Sequence, residues 1–307
     1  GYLQAQYVRD EASRNELGSN RDQFSVRRAR LKFTYQFSKT SRFVLQPDIA
    51  SSGVTLKDGY VEFTEPWTSW SHTLTAGQFI WPFGYELLYS SSQREVPERS
   101  RVVRALFPGE RDRGVMLSGT GFDKHFGYRV AVVNGTGTAR ADDANKRKDV
   151  VGRVTWSQGP IGVGASVYRG SDLVATSTNA RGQEFDKQRQ GIDVQWTTPL
   201  PGLLLRGEYI TGKQAPGAGT TRTRSHDVDG WYFYAVQNIG KRHQLVARID
   251  EFDPDSDVDG NAVRTINPAY VFHWDRHSKV MASYEWIDSE TNDPDDNVFT
   301  LRYQFSF

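Results

Sequence analysis

Cysteine is absent from all 307 residues, which removes disulfides, thiolate nucleophiles and thiolate metal ligands. Methionine occurs only twice. No run approaches the ~18 consecutive apolar residues of a transmembrane helix, and amphipathic helical periodicity is nearly missing. Neither sign of charge dominates: 38 Lys and Arg against 37 Asp and Glu give a net charge of +1. That balance provides neither an acidic tail nor a basic nucleic-acid-binding domain. The six histidines form no HExxH, and no GxSxG occurs. The chain opens at Gly1 without a charged and apolar leader, as expected of an exported protein whose signal peptide has been removed.

Two near-motifs are incomplete. Gly207–Gln214 nearly spells a P-loop but ends in Gln where a magnesium-binding Ser or Thr is needed. Asp255, Asp257, Asp259 and Gly260 match the start of a calcium loop, a weak metal candidate, because the closing Glu is replaced by Ile266. Turn chemistry accounts for the same residues. The expectation is no enzyme, no cofactor and no nucleic-acid partner.

What is present is alternation. Hydrophobic residues make up only 37% of the chain while aromatics reach 13%, a pairing that suits strands with one apolar face around a wet interior. Period-2 segments recur from end to end and predict sixteen strands in one domain spanning residues 1–307. Connections alternate in length. Short ones (Ser38–Ser41, Glu65–Trp70, Phe122–His125, Gln158–Pro160, Thr198–Pro201, Ile239–Arg242, Arg276–His277) separate mostly long polar ones such as Arg9–Gln23, Gly135–Lys148 and Ser289–Asp296. Only Ala50–Gly53 breaks the rule. Short turns on one rim and long loops on the other describe an antiparallel transmembrane β-barrel of the bacterial outer membrane. All eight tryptophans can sit near a membrane interface. The last strand places Phe299, Leu301, Tyr303, Phe305 and Phe307 on one face, ending on an aromatic.

If the apolar faces meet lipid, the opposite faces line an aqueous channel. They carry Arg28, Arg30, Lys32, Arg42, Arg129, Arg153, Arg206, Arg248, Lys279 and Arg302 against Asp48, Asp193, Glu208, Asp250 and Glu285. Asp58 and Glu62 lie on a strand of ambiguous phase. The longest segment without alternation, residues 79–113, holds six arginines (Arg94, Arg99, Arg101, Arg104, Arg111, Arg113) and no lysine. It reads as a loop folded into the barrel, its guanidinium groups meeting passing anions. The plain counter-reading is a solvated loop paired with Glu86, Glu95, Glu98, Glu110 and Asp112.

Phe24–Leu31, Val54–Phe63, Thr75–Glu86, Pro97–Ser100, Phe107–Val115 and Val132–Gly135 together resemble the phosphate-selective porin O/P family, in the family's order. The resemblance implies a sixteen-stranded trimeric outer-membrane porin with an inward third loop and an anion-selective constriction. It further implies that arginines of this loop and the wall line that constriction. The expected function is passive diffusion of small anions, phosphate or organic carboxylates. The alternative is a structural or docking barrel of a larger envelope assembly, its pore plugged.

Overall fold

The computed structural model describes residues 1–10, 22–50, 53–138, 143, 145–177, 179–290 and 297–307. The central parts of the predicted Arg9–Gln23, Gly135–Lys148 and Ser289–Asp296 loops and of the short Ala50–Gly53 link lie outside these residues. Among the described residues the chain runs through β1 (Tyr2–Asp10), β2 (Asp22–Arg30), β3 (Phe33–Gln36), β4 (Ser41–Ala50), β5 (Gly53–Thr64) and β6 (Thr73–Ile80). A short helix, α1 (Arg101–Leu106), follows, then β7 (Arg111–Gly121), β8 (Phe126–Val133), β9 (Asp149–Gln158) and β10 (Ile161–Val174). The remainder are β11 (Gln183–Thr197), β12 (Leu203–Gln214), β13 (His226–Ile239), β14 (His243–Asp253), β15 (Val263–His273), β16 (Ser278–Ser289) and β17 (Val298–Ser306).

Apart from β2 and β3, every strand pairs antiparallel with its neighbours in sequence, and β1 pairs with β17 from Tyr2↔Ser306 to Asp10↔Val298. The Gly1 amine donates to the Phe307 carbonyl at 2.8 Å, so the two ends of the chain meet at the seam. Closure leaves no edge to be satisfied in lipid. Strands β2 and β3 occupy one stave, since both pair with β4. Their interruption at Leu31–Lys32 lies opposite Pro47, which has no N–H to give the ladder. Seventeen strands therefore make a sixteen-stave barrel.

Burial is inverted relative to a water-soluble protein. Along β17, Thr300, Arg302 and Gln304 are buried while Leu301, Tyr303 and Phe305 are exposed. Arg189, Arg248 and Arg302 are among the largest fully buried side chains. Apolar chains outside and charges inside fit a wall between lipid and a polar interior. Trp67, Trp156, Trp196 and Trp274 are exposed at the short-turn rim, and Trp286 is exposed toward the other. Trp81 departs from the expectation. It is 5% exposed and packs among Phe107 and Tyr168, because it begins the long β6–β7 segment rather than a membrane girdle.

Candidate functional site

Residues 81–110, between β6 and β7, are the longest stretch between strands among the described residues, and their apolar side chains cluster with residues of strands distant in the sheet. Trp81, Phe83, Leu87, Val96, Val102, Val103, Leu106 and Phe107 are buried and cluster with Tyr168, Ile210, Val228, Tyr232 and Tyr234. Gly230 on β13 leaves room for this: a Cβ there would sit 2.8 Å from Val102. Helix α1 starts after Ser100, and the Arg101 N–H donates to Asp250 of β14 at 2.9 Å, satisfying a first-turn donor.

Polar contacts tie the segment to strands far from its own in the sheet. Tyr85 and Glu86 N–H groups both donate to Glu208 of β12 at 3.2 Å. Glu86 accepts from Tyr234 of β13 at 2.6 Å and from the Ser100 N–H at 3.0 Å. Arg206 of β12 grips Glu95 with bonds of 3.0 and 2.9 Å, and its guanidinium lies 4.7 Å from the Tyr89 ring centre. Glu98 collects three guanidinium groups, from Arg27 at 2.9 Å, Arg28 at 3.0 Å and Arg302 at 2.7 Å. Arg248 and Arg302 also donate to the carbonyls of Glu98 (2.8 Å) and Pro97 (2.5 Å), and Lys279 to that of Arg94 (2.8 Å). In Glu98, burial pushes the carboxyl pKa up, but Arg28, Arg302, Arg27 and Arg94 outweigh it and hold the group well below the usual carboxylate range.

The arginines expected to face solutes thus divide. Arg28, Arg206, Arg248 and Arg302 are buried and bound to the segment, and Arg248 also pairs with Asp250 and Glu285. Arg153 is buried against Asp193. Arg94 is 2% exposed, and among the described residues its guanidinium nitrogens have no hydrogen-bond partner. Arg99 donates to the Glu86 and Leu87 carbonyls at 2.9 Å and pairs with Glu110, holding the segment's own fold. Arg104 is exposed on α1 and Arg101 half-buried. Arg111 and Arg113 belong to β7 rather than to the segment. Arg111 pairs with Asp58 at 2.9 Å and with Glu110, and Arg113 donates to the Gly137 carbonyl at 3.0 Å.

A second group meets open space. A cavity of about 680 Å³, beside β2–β8, is lined by Arg30, Lys32, Lys39, Arg42, Arg99, Arg111 and Arg129 against Asp58 and Glu62. Seven cations to two acids give it a clear sign. Arg30 is paired with Asp48 at 2.8 Å and Arg42 with Glu62. Among the described residues, no ion pair involves Lys32, Lys39 or Arg129. Arg129 also lines an adjoining cavity of about 490 Å³ with Arg153, Tyr85 and Gln195.

Some inward residues escape simple alternation. A bulge at Gln4/Ala5 leaves Arg27 unpaired in β2, so Arg27 and Arg28 both reach Glu98. A second bulge, opposite Gln46/Pro47, inserts Lys57 before Asp58, which explains the ambiguous phase of that strand. Lys187 and Arg189 share the inward face of β11 with Asp193. Lys187 was missed because the strand begins at Gln183, five residues earlier than expected; Arg189, inside the expected strand, was legible from its shared parity with Asp193. The Asp253–Asn261 turn is held by its own chain: the Asp255 N–H donates to Asp253 at 2.9 Å and Asp255 pairs with Arg222. Among the described residues no group of His, Asp and Glu is arranged to hold a metal ion.

A sequence profile of the family described as phosphate-selective porin O and P matches residues 2–185. No curated protein matches the chain. Among solved structures, the chain is similar to an anion-selective porin from Comamonas acidovorans, at 12% identity and TM-score 0.71, over 100% of this chain and 98% of that one. It is similar to a loop L8 deletion mutant of OmpT, an outer membrane protein of Vibrio cholerae, at 12% identity and TM-score 0.70, over 99% and 97%. The in-vitro folded OmpT of Vibrio cholerae, described in a trimer form, aligns at 11% identity and TM-score 0.64, over 99% and 97%.

Proposed function

From the premise that the chain belongs to the phosphate-selective porin O and P family, and is therefore an outer-membrane porin, we propose that it passes small anions, phosphate or organic carboxylates, by passive diffusion. The observation that carries this reading is the cavity of about 680 Å³ with seven basic and two acidic side chains on its walls. Low-dielectric walls focus the field of such an excess and concentrate counter-ions. Lys32, Lys39 and Arg129 supply the exposed donors that replace part of an anion's hydration. Exposure keeps that binding weak enough to release.

In this reading residues 81–110 fold into the lumen and narrow it from the side of β12–β17, leaving the path beside β2–β8. The arginines in ion pairs with Glu95 and Glu98 anchor the constriction, and the unpaired cations select. Three copies form the working unit; one structural neighbour is described in a trimer form.

Bilayer recordings in mixed chloride and phosphate test the assignment. Phosphate should block chloride current in the parent, and Arg129→Ala with Lys32→Ala should weaken the block and lower anion preference. Unchanged block in that double variant would refute the cationic path. Absence of any steady current would favour the plugged docking barrel.

A further inference from the structure

A third cavity, also of about 490 Å³, is lined by Trp81 and residues 105–109 of the β6–β7 segment and by residues of β10, β11 and β12, and its chemistry differs. Trp81, Leu106, Phe107, Tyr168, Leu173 and Val174 supply an apolar wall. The rings are fixed against one another: Trp81 and Phe107 centroids are 5.8 Å apart, Trp81 and Tyr168 6.3 Å. Pockets of roughly 300–1,000 Å³ with such walls and a few convergent polar groups hold small organic ligands.

Three polar atoms among the lining residues are buried and, among the described residues, without a hydrogen-bond partner: Trp81 Nε1, Thr136 Oγ1 and Arg189 Nε. Buried polar groups of this kind are expected to be satisfied. Arg189 is 1% exposed, and its bonds go to neutral acceptors, the Gln188 carbonyl at 2.8 Å, the Lys213 carbonyl and the Gln214 side chain. Its neighbour Lys187 is instead matched by Asp149 at 3.2 Å and Asp172 at 3.0 Å. Among the described residues, one charged donor therefore remains without a carboxylate in ion-pair distance, next to an aromatic wall.

We propose that this cavity binds a small organic carboxylate with an apolar body, the carboxylate on Arg189 and the body against Trp81 and Phe107. An inorganic anion gains nothing from the apolar wall, and a neutral apolar molecule leaves Arg189 unmet. The site is separate from the cationic path and adds a preference among organic acids that the path alone does not make.

Isothermal titration of the detergent-solubilised full chain with sodium benzoate, sodium acetate and inorganic phosphate tests it without any current. Benzoate should bind at least about tenfold more tightly than acetate, because its ring adds apolar burial. Arg189→Gln should weaken benzoate about tenfold, the loss expected for one charge-assisted hydrogen bond. Ala215→Trp, which fills the cavity, should abolish the difference between benzoate and acetate. Both variants are verified as folded barrels by heat-modifiable migration. Equal affinities for benzoate and acetate in the parent, or a benzoate preference surviving Ala215→Trp, would overturn the proposal. Either result leaves the chloride and phosphate measurements standing.

Discussion

Replacing Glu98 by Gln removes one negative charge from a site that collects three guanidinium groups, at 2.9, 3.0 and 2.7 Å. Arg28 and Arg302 have side chains only 4% and 1% exposed, so neither can turn to bulk water without leaving its strand face. Breaking a buried ion pair by deleting one partner costs about 3–5 kcal/mol. The Glu98 side chain retains 24% exposure, and the Arg248 and Arg302 bonds to the Glu98 and Pro97 carbonyls survive. The expected penalty on docking of the segment is accordingly lower, about 2–3 kcal/mol. That shifts the docked-to-undocked ratio by roughly 30- to 150-fold. Undocking should appear as excess noise and brief closures in single-channel current, and as faster amide exchange across residues 95–100 with little change in the strands. A variant as quiet and as protected as the parent would refute the clamp.

The same carboxyl gives an acid limit. Its folded pKa lies well below the unfolded value of 4.5, so its contribution is complete above that value and is lost as pH falls through the folded one. Channel noise should stay constant on acidification to about pH 4.5 and rise only below it; a rise near neutrality would count against Glu98. Gly84 has a φ of +58°, and a Cβ there would collide with the Glu208 carboxylate. Gly84→Ala should therefore loosen the start of the segment by at least about 1–2 kcal/mol, read as faster exchange at Tyr85 and Glu86. Tyr234→Phe removes the 2.6 Å donor to Glu86 and should cost about 1–2 kcal/mol in thermal stability of the segment, whereas an unchanged transition would show that Ser100 suffices.

The barrel was legible because its signal is local. A period of two needs no tertiary knowledge, and β17 shows it residue by residue. The rim assignment followed from turn lengths for the same reason. Extra residues were not legible: Arg27 and Lys57 sit at bulges, where the face rule fails for one position. Nor could alternation separate a cation that meets water from one that ties down residues 81–110. Arg129 and Arg302 occupy equivalent inward positions, and only the carbonyls and carboxylate brought by residues 97–98 distinguish them. Trp81 shows the converse, an aromatic whose strand-end position suggested a girdle but whose side chain is buried against Phe107 and Tyr168.

The most direct test of the account is the reversal potential of the purified protein in a planar bilayer under a KCl gradient. An arginine- and lysine-lined path predicts a steady current that reverses on the chloride side, and Arg129→Ala should move that potential toward zero. Reversal on the potassium side, or no steady current at all, would contradict it.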